Sequence, residues 1–388
     1  MRRTGRERGA GSGARGWAAR ALSLALMLVS LQLGSLIAPA YACGCGAMVV
    51  HRDSEVAVDR ETSAVGWDGT TEQIVMRLTV RGNAPDAAWI MPVPHRATVE
   101  LGDAALFSEL KAITAPVTEE RHHFWPRDKD WPFGGSGNAS GDGAPAPSAA
   151  APVDVVGRER LGPFDVARLA ATDPAALEGW LKENGFELPD RLATALTPYV
   201  EQKWEYVAVR LAPQEQGSRL SGTLDPLRLR FASDRLVYPM RLSRLAATPQ
   251  SLDLYVLADH RMEPRGAIGG RPPKVAYAGR VDPAKEPYEA LAAVTGGKPV
   301  FLTAIGQYFP SPERIDGDHE LRATADDTPY RTVVYRDELL TVGGVPAWLL
   351  TLLGAAVVVV VALLLVVRAR RRRPVPPPPP VFAPPPLR

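Results

Sequence analysis

The sequence of 388 residues has only two cysteines and lacks several familiar catalytic signatures. It contains no G-x-S-x-G, no H-E-x-x-H, no phosphate-binding glycine loop and no cysteine pairs with the spacing typical of zinc sites. These absences argue against the hydrolase, metalloprotease and nucleotide-binding classes that carry such motifs, although hydrolases without them exist. We therefore favour a non-enzymatic protein and expect no cofactor.

Basic charge is scarce in the centre of the chain. Residues 43–344 hold 33 Lys and Arg against 42 Asp and Glu, a net charge of −9, whereas the two ends are basic. An acidic surface repels phosphate backbones, so nucleic acid is not an expected partner.

The N-terminus has the three parts of a secretory signal peptide. A basic stretch, Arg2–Arg20, precedes the uncharged, Leu-rich run Ala21–Ile37, and Ala40-Tyr41-Ala42 places small residues at −3 and −1 before Cys43. This order is typical of a signal that is removed after export. We interpret residues 1–42 as the signal peptide.

The C-terminal hydrophobic run is long enough to cross a membrane. Val345–Val367 contains 23 residues without a charge, and a helix of that length measures roughly 34 Å against a hydrocarbon core of about 30 Å. Five arginines follow at once: Arg368, Arg370, Arg371, Arg372 and Arg373. The positive-inside rule then places the proline-rich tail, residues 368–388, in the cytoplasm and the preceding domain outside the membrane.

The region between the two ends has mainly strand patterns. Alternating apolar residues predict strands over Gln73–Arg81 and Leu227–Phe231, and mixed patterns predict more over Glu55–Trp67, Trp204–Leu211, Leu252–Leu257, Pro299–Tyr308 and Arg331–Tyr335. Helices are predicted from Pro174, ending at Gly185, and over Pro189–Val200 and Pro287–Val294. Strands outnumber helices without regular alternation, so the sequence predicts an α+β domain, with a mainly antiparallel or mixed sheet, a few short helices and the C-terminal transmembrane helix.

A Gly, Ser, Ala and Pro run, residues 134–152, interrupts this domain. Such a composition buries too little apolar surface to order itself, so we interpret it as a flexible loop. It separates residues 43–133 from residues 153–344 of one extracytoplasmic domain, which precedes the membrane helix at 345–367.

Several strings, taken in order, resemble a known family. They are Ala88–Pro94, Leu106-Phe107 before Thr114-Ala115-Pro116, Trp180-Leu181 before Asn184-Gly185-Phe186, Pro198-Tyr199, Leu236–Arg241 and Tyr255–His260. This set is similar to the bacterial family of exported proteins known as domain of unknown function 2330. The resemblance implies an exported or membrane-tethered envelope domain in a bacterium. It implies no activity and no catalytic residue.

Cys43 and Cys45 form the most suggestive short feature. After cleavage of the signal they begin the mature chain in an oxidising compartment, where a structural disulfide is the favoured interpretation, although pairing across one residue makes a strained, reducible ring. Coordination of a soft metal such as Cu(I), disulfides to a partner and lipidation of Cys43 remain alternatives.

Two other groups are weaker candidates. Asp316, Asp318 and Glu320 would present three carboxylates on one side of an extended segment, which suits a hard cation such as Ca²⁺. Their spacing is not that of the twelve-residue calcium loop, and Gly317 favours a plain solvated turn. An aromatic cluster beside the glycine-rich loop is a candidate binding patch, although packing on the core as an irregular strap is the favoured interpretation. The cluster consists of Phe124, Trp125, Trp131 and Phe133.

The sequence thus favours a single-pass protein of the bacterial plasma membrane that binds or scaffolds an envelope protein or polymer. The alternative is an envelope enzyme or a metal or redox protein that uses the two cysteines or the 316–320 carboxylates.

Overall fold

The computed structural model describes residues 42–43, 46–51, 53–127, 130, 159–161, 164–169, 174–212 and 218–371. Apart from Ala42, the predicted signal peptide lies outside the described residues, as do the loop at 134–152 and the tail beyond Arg371. The chain divides into two compact units. The first, which we call the sandwich unit, comprises Met1–Pro116 and Ala151–Thr332, and the second, the ribbon unit, comprises Val117–Ala150 and Val333–Arg388.

The described residues form 22 strands and five α-helices, which confirms the α+β class predicted from the sequence. The helices are α1 (Ala105–Ile113), α2 (Pro174–Glu183), α3 (Asp190–Glu201), α4 (Glu289–Thr295) and α5 (Ala347–Arg371). The strands are β1 (Ala42–Cys43), β2 (Gly46–Val49), β3 (Val56–Trp67), β4 (Thr71–Gly82), β5 (Ala87–Val93), β6 (Thr98–Leu101), β7 (Val117–His123), β8 (Glu159–Leu161), β9 (Phe164–Leu169), β10 (Glu205–Leu211), β11 (Gly222–Thr223), β12 (Leu227–Ala232), β13 (Leu236–Tyr238), β14 (Gln250–Ala258), β15 (Met262–Pro264), β16 (Lys274–Val281), β17 (Val300–Phe309), β18 (His319–Ala323), β19 (Tyr330–Arg331), β20 (Val333–Leu339), β21 (Thr341–Val342) and β22 (Val345–Pro346).

Two large sheets form the centre of the sandwich unit. The six-stranded sheet has the order β1-β2-β5-β10-β9-β8 and is antiparallel throughout. The nine-stranded sheet has the order β19-β16-β17-β14-β3-β4-β12-β6, with β11 paired to β4, and its strands are antiparallel except for the β14–β3 pair. A smaller sheet, β13-β18-β15, completes the unit.

The main core lies between these two sheets. Trp89 and Met91 of β5 and Ile74 and Met76 of β4 belong to the same buried cluster. Because side chains alternate along a strand, the intervening residues of β5 face the other way, and Ile90 packs in a second cluster. All seven residues of β5 are therefore buried, which is expected of a strand covered on both faces.

Helices cover the outer faces of both sheets. The second cluster joins the six-stranded sheet to α2 and α3 through residues such as Leu181 and Leu196. A third cluster joins Leu106 and Leu110 of α1 and Leu291 of α4 to the nine-stranded sheet. The sandwich unit therefore has four layers, helix, sheet, sheet and helix, and each apolar helix face is buried against a strand surface.

The helices and strands predicted from the sequence are present in the structure, although other strands, such as β2, β9 and β16, were not predicted. Each predicted strand overlaps an observed one, and the predicted helix end at Gly185 coincides with a residue at φ +82°. Two details differ. The α1 helix was not predicted, and the segment predicted as one strand, Arg331–Tyr335, is divided between β19 and β20 of different units.

The ribbon unit is built on a pair of parallel strands. β7 and β20 pair along their whole length, from Val117 opposite Val333 to His123 opposite Leu339. A short hairpin, β21–β22, follows β20 and leads directly into α5. The described part of the chain contains one helix that is long and apolar enough to cross a membrane, and it is α5.

Candidate functional site

The outer face of the nine-stranded sheet carries an open groove in the sandwich unit. Helices α1 and α4 cover one part of this face, whereas the part formed by β14, β17 and β16 borders a cleft of about 840 Å³. We call this cleft the sheet groove. It is lined by Arg60, Ser251, Leu252, Asp253, Arg271, Pro272, Lys274, Val275, Ala276, Gly306, Gln307, Tyr308, Tyr330 and Thr332.

Three residues in register form the floor of the groove. Gly306 of β17 lies opposite Asp253 of β14 on one side and Lys274 of β16 on the other. A Cβ added at Gly306 would meet only the Asp253 carboxylate, at 3.9 Å. The glycine thus keeps the centre of the floor low, with a carboxylate on one flank and an ammonium group on the other.

A tightly anchored loop supplies one wall. Gln307 donates from Nε2 to the carbonyl oxygens of Ile268 at 3.1 Å and Arg271 at 2.8 Å. Gly269 has φ +65°, and a Cβ there would lie 2.8 Å from Cδ1 of Phe309. The loop is therefore held against the sheet by contacts that only glycine allows, and it presents the exposed Arg271 to the groove.

The rest of the wall combines a cation with two tyrosines. Arg60 follows an irregularity in the pairing of β3 with β4, and its Nη1 lies 3.8 Å from Oδ2 of Asp253. Both side chains are well exposed, so this ion pair is weak and open to exchange with a ligand. Tyr308 and Tyr330 are 52% and 46% exposed, unusually high for large aromatic side chains.

The groove has the chemistry of an anion site. Its lining includes three cations, Arg60, Arg271 and Lys274, and a single carboxylate, Asp253, although the surrounding region 43–344 is acidic overall. Guanidinium and ammonium groups bind carboxylates, sulfates and phosphates, and tyrosine rings stack on sugar or other flat ligand faces. These residues are far apart in sequence and belong to no local motif. No sequence signal marks them as a site, because only strand register brings them together.

The predicted carboxylate triplet is not brought together. The side chain of Asp318 is only 8% exposed, and its Oδ1 accepts hydrogen bonds from Tyr199 Oη at 2.6 Å and from the backbone N–H groups of Met240 and Arg241 at 2.8 and 3.0 Å. Burial is the main cause that raises the pKa of Tyr199 well above its ordinary value, and the negative charge of Asp318 is the second. The phenol therefore remains protonated and donates its hydrogen bond. Asp318 thus links α3 to the segment after β13.

The other two carboxylates have different partners. Asp316 accepts from the backbone N–H of Gly269 at 3.5 Å, and Glu320 lies 3.8 Å from both Arg235 and Arg265. Among the residues that the structure describes, no group of three His, Cys, Asp or Glu side chains is arranged to hold a metal ion.

A second set of polar groups is sealed inside the sandwich unit. Burial raises the pKa of Glu72 well above its ordinary value, and this carboxyl accepts from the Val237 N–H at 3.1 Å. Tyr238 bonds to Glu61 and, at 2.6 Å, to Ser63. His319 is 2% exposed, and burial lowers its pKa to about 4. Because these groups are closed to solvent, we interpret them as structural links between β3, β4, β13 and β18.

The remaining predicted residues are placed only in part. Cys43 ends β1 and pairs with Gly46 of β2, whereas Cys45 lies outside the described residues. Phe124 and Trp125 form an edge-to-face pair in the ribbon unit, whereas Trp131 and Phe133 lie outside the described residues. Arg368, Arg370 and Arg371 occupy the last turn of α5, and Arg372 and Arg373 lie beyond it.

Comparisons with known proteins give a family but no function. The crystal structure of baculovirus P35 aligns over 72% of this chain and 98% of its own, with 9% sequence identity and a TM-score of 0.29, a similarity too low to support an argument. No curated protein sequence matches. The family model described as "Uncharacterized protein conserved in bacteria" (DUF2330) matches residues 39–322, and it agrees with the resemblance seen in the ordered strings. The chain therefore belongs to the DUF2330 family of bacterial proteins.

Proposed function

We propose that this chain is a single-pass membrane protein whose sandwich unit lies outside the cytoplasm and binds an anionic polymer of the cell envelope through the sheet groove. The observation that carries the binding role is the groove itself, in which three cations and two exposed tyrosines surround a glycine floor. An open cleft with this lining suits an extended acidic chain, such as a uronic acid polysaccharide, better than a small enclosed substrate.

The membrane anchor is supported by α5. Its most apolar 18-residue stretch has a mean hydropathy of 3.1, and every residue from Leu349 to Arg371 is exposed. Exposing an apolar helix surface on every side to water is unfavourable, whereas the hydrocarbon core of a membrane accommodates it. Arginines fill its last turn, and the positive-inside rule places that end in the cytoplasm.

The topology is tested on whole bacterial cells that express the chain with a tag after Arg388. Alkaline carbonate should leave the protein in the membrane fraction. Protease added outside the plasma membrane, after the outer layers are opened, should remove the sandwich unit and leave a tagged fragment of α5 and the tail. Full protection of the sandwich unit, or release of the intact chain by carbonate, would contradict the topology.

The binding role is tested with the full chain in lipid nanodiscs, using polygalacturonate as the acidic probe and dextran as the neutral one. Binding of polygalacturonate that weakens with added salt, without binding of dextran, is the expected result. The double variant Arg271→Glu and Lys274→Glu should weaken binding about 10–100-fold, or about 1.4–2.7 kcal/mol in total, because two solvent-screened charge contacts are lost and repulsion replaces them.

A matched variant distinguishes loss of a contact in the groove from a general effect of net charge on affinity. Lys111 is exposed at the end of α1 and is not among the residues of the groove. Lys111→Glu changes the net charge by the same amount as Lys274→Glu. Because the charge at position 111 lies outside the groove and is screened by salt, this variant should alter affinity less than about twofold. Equal losses for the two single variants would show that the groove is not the site.

A further inference from the structure

One residue of the ribbon unit connects the exposed aromatic pair to the start of α5. The N–H of Leu340 donates to the carbonyl of His123 at 2.9 Å, and the carbonyl of Leu340 accepts from the N–H of Ala347 at 2.8 Å. Backbones joined in this way lie about 5 Å apart. His123, which directly precedes Phe124, is therefore within roughly 10 Å of the first residue of α5.

The length of α5 leaves no spacer between the membrane and this junction. From Ala347 to Val367 the helix rises about 31 Å, which equals the thickness of a hydrocarbon core of about 30 Å. Arg368 follows, and its charge favours the inner interface. With Val367 at the inner edge of the hydrocarbon, Ala347 lies at the outer edge, and the end of the ribbon lies at the level of the lipid headgroups.

The end of the ribbon is apolar and firmly held. Phe124 and Trp125 meet edge to face with ring centroids 5.1 Å apart, and Trp125 is 62% exposed. Arg127 binds Asp337 of β20 with a nitrogen-to-oxygen distance of 2.5 Å, and Asp130 accepts from the Arg127 N–H at 2.8 Å. These contacts hold the Phe124-Trp125 segment at the end of the ribbon, where Trp125 is exposed.

We propose that Phe124 and Trp125 insert into the outer interface of the bilayer that α5 crosses, so that lipid headgroups and upper acyl chains are the partner of this aromatic tip. Tryptophan favours that layer because its ring is apolar while its indole N–H still donates to water or to a lipid carbonyl. The neighbouring hairpin adds Val342 and Val345, which are 59% and 41% exposed. Two attachments, the helix and the tip, then restrain the tilt of the ribbon at the membrane surface. This inference depends on the membrane span proposed above.

A genetically encoded fluorescent amino acid, placed at one position at a time in the full chain in nanodiscs, tests the inference. Nitroxide lipids labelled at the headgroup, in the upper acyl chain or at the chain end report the depth of the probe. At position 125 the headgroup and upper-chain labels should quench most. Position 118 supplies the control, because Thr118 is exposed on the same strand, opposite Val334, and lies about 20 Å from Phe124 along the ribbon. Quenching at 125 should exceed that at 118 at least about threefold, because position 118 lies beyond the headgroup layer.

A third position, Val358 in the middle of α5, keeps the two proposals separate. Strong quenching at 358 by the chain-end label, together with shallow quenching at 125, supports both proposals. Strong quenching at 358 with equal, weak quenching at 125 and 118 would retain the membrane span and overturn the inference about the tip. Absence of deep quenching at 358 would overturn the span and the tip together.

Discussion

The sandwich unit and the ribbon unit are stabilised by different interactions. In the sandwich unit the side chains of two sheets and four helices cover one another, and residues such as Trp89 and Leu291 have no exposed surface. The ribbon unit has a parallel strand pair with mostly exposed side chains and a helix that is apolar on every side. Burial within the protein stabilises the first unit, whereas the second has little core of its own and depends on ion pairs, backbone hydrogen bonds and, as we propose, lipid.

The largest expected effect contrasts one tryptophan from each unit. Trp89→Ala removes a ring with no exposed surface and leaves a cavity, so it should lower the free energy of unfolding by about 3–5 kcal/mol. Trp125→Ala removes a mostly exposed ring and should cost under about 0.5 kcal/mol. Denaturant titrations of the full chain in detergent, followed by circular dichroism, measure both. Similar losses for the two variants would contradict the contrast.

A pH titration gives the next largest effect. The folded pKa of His319 is about 4, below its ordinary value of 6.5, so protonation favours the unfolded chain. The stabilisation from the neutral ring is complete above about pH 6.5 and is lost as the pH falls toward 4, by about 3 kcal/mol in total.

The variant His319→Gln removes this titration. Unfolding titrations at several pH values should show the wild type losing its advantage over the variant between pH 6.5 and 4. His122→Gln, in the exposed part of the ribbon unit, is the matched control for the substitution itself. A constant difference between wild type and His319→Gln across this range would disprove the buried, neutral state of the ring.

Replacing a glycine by alanine in each unit should lower the free energy of unfolding by smaller amounts, and for a different reason in each unit. A Cβ at Gly46 would lie 2.5 Å from the carbonyl oxygen of Ile90, so Gly46→Ala should cost about 1–3 kcal/mol through overpacking. Gly343 has φ +61° with nothing within 4 Å of an added Cβ, so Gly343→Ala should cost only the backbone strain of about 1 kcal/mol. Thermal unfolding of both variants provides the comparison, and Gly343→Asn, which tolerates this φ better, should recover part of the loss.

The smallest effect concerns the ribbon itself. Arg127 and Asp337 form an ion pair between side chains that are 55% and 36% exposed, so Arg127→Ala should cost less than about 1 kcal/mol and less still at high salt. Amide hydrogen exchange should accelerate within β7 and β20 and stay unchanged in β5. Faster exchange in β5 would show that the two units unfold together.

Local patterns predicted much of the fold. The alternation of Leu227, Leu229 and Phe231 and the unbroken apolar run of α5 are properties of single segments, so they were visible without tertiary structure. Helix α1 was missed because its nine residues bury only four side chains and begin without a strong signal beyond Asp103, whose carboxylate accepts from the Ala105 N–H. The parallel pairing of β7 with β20 joins residues more than 200 positions apart, and no local pattern specifies it.

The candidate site, in contrast, could not be predicted from local sequence patterns. Arg60, Asp253, Lys274 and Tyr308 look like ordinary surface residues in the sequence, and only strand register places them around Gly306. The reverse holds for Asp316, Asp318 and Glu320, which are neighbours in sequence and have different partners in space. Sequence proximity was therefore a poor guide to which charged groups act together.

By itself, the sequence determined the family, the α+β class and the presence of a helix long enough to cross a bilayer. Each of these follows from composition, periodicity or ordered strings, because hydrophobic free energy acts on every segment according to its own residues. Only the tertiary structure decided which charges line a groove, which carboxylates are buried and how close the aromatic tip lies to the start of α5. Those features depend on pairings between segments that are distant in sequence. Bringing such segments together has an entropic cost, which the packing of the whole chain offsets, so no local pattern specifies the pairing.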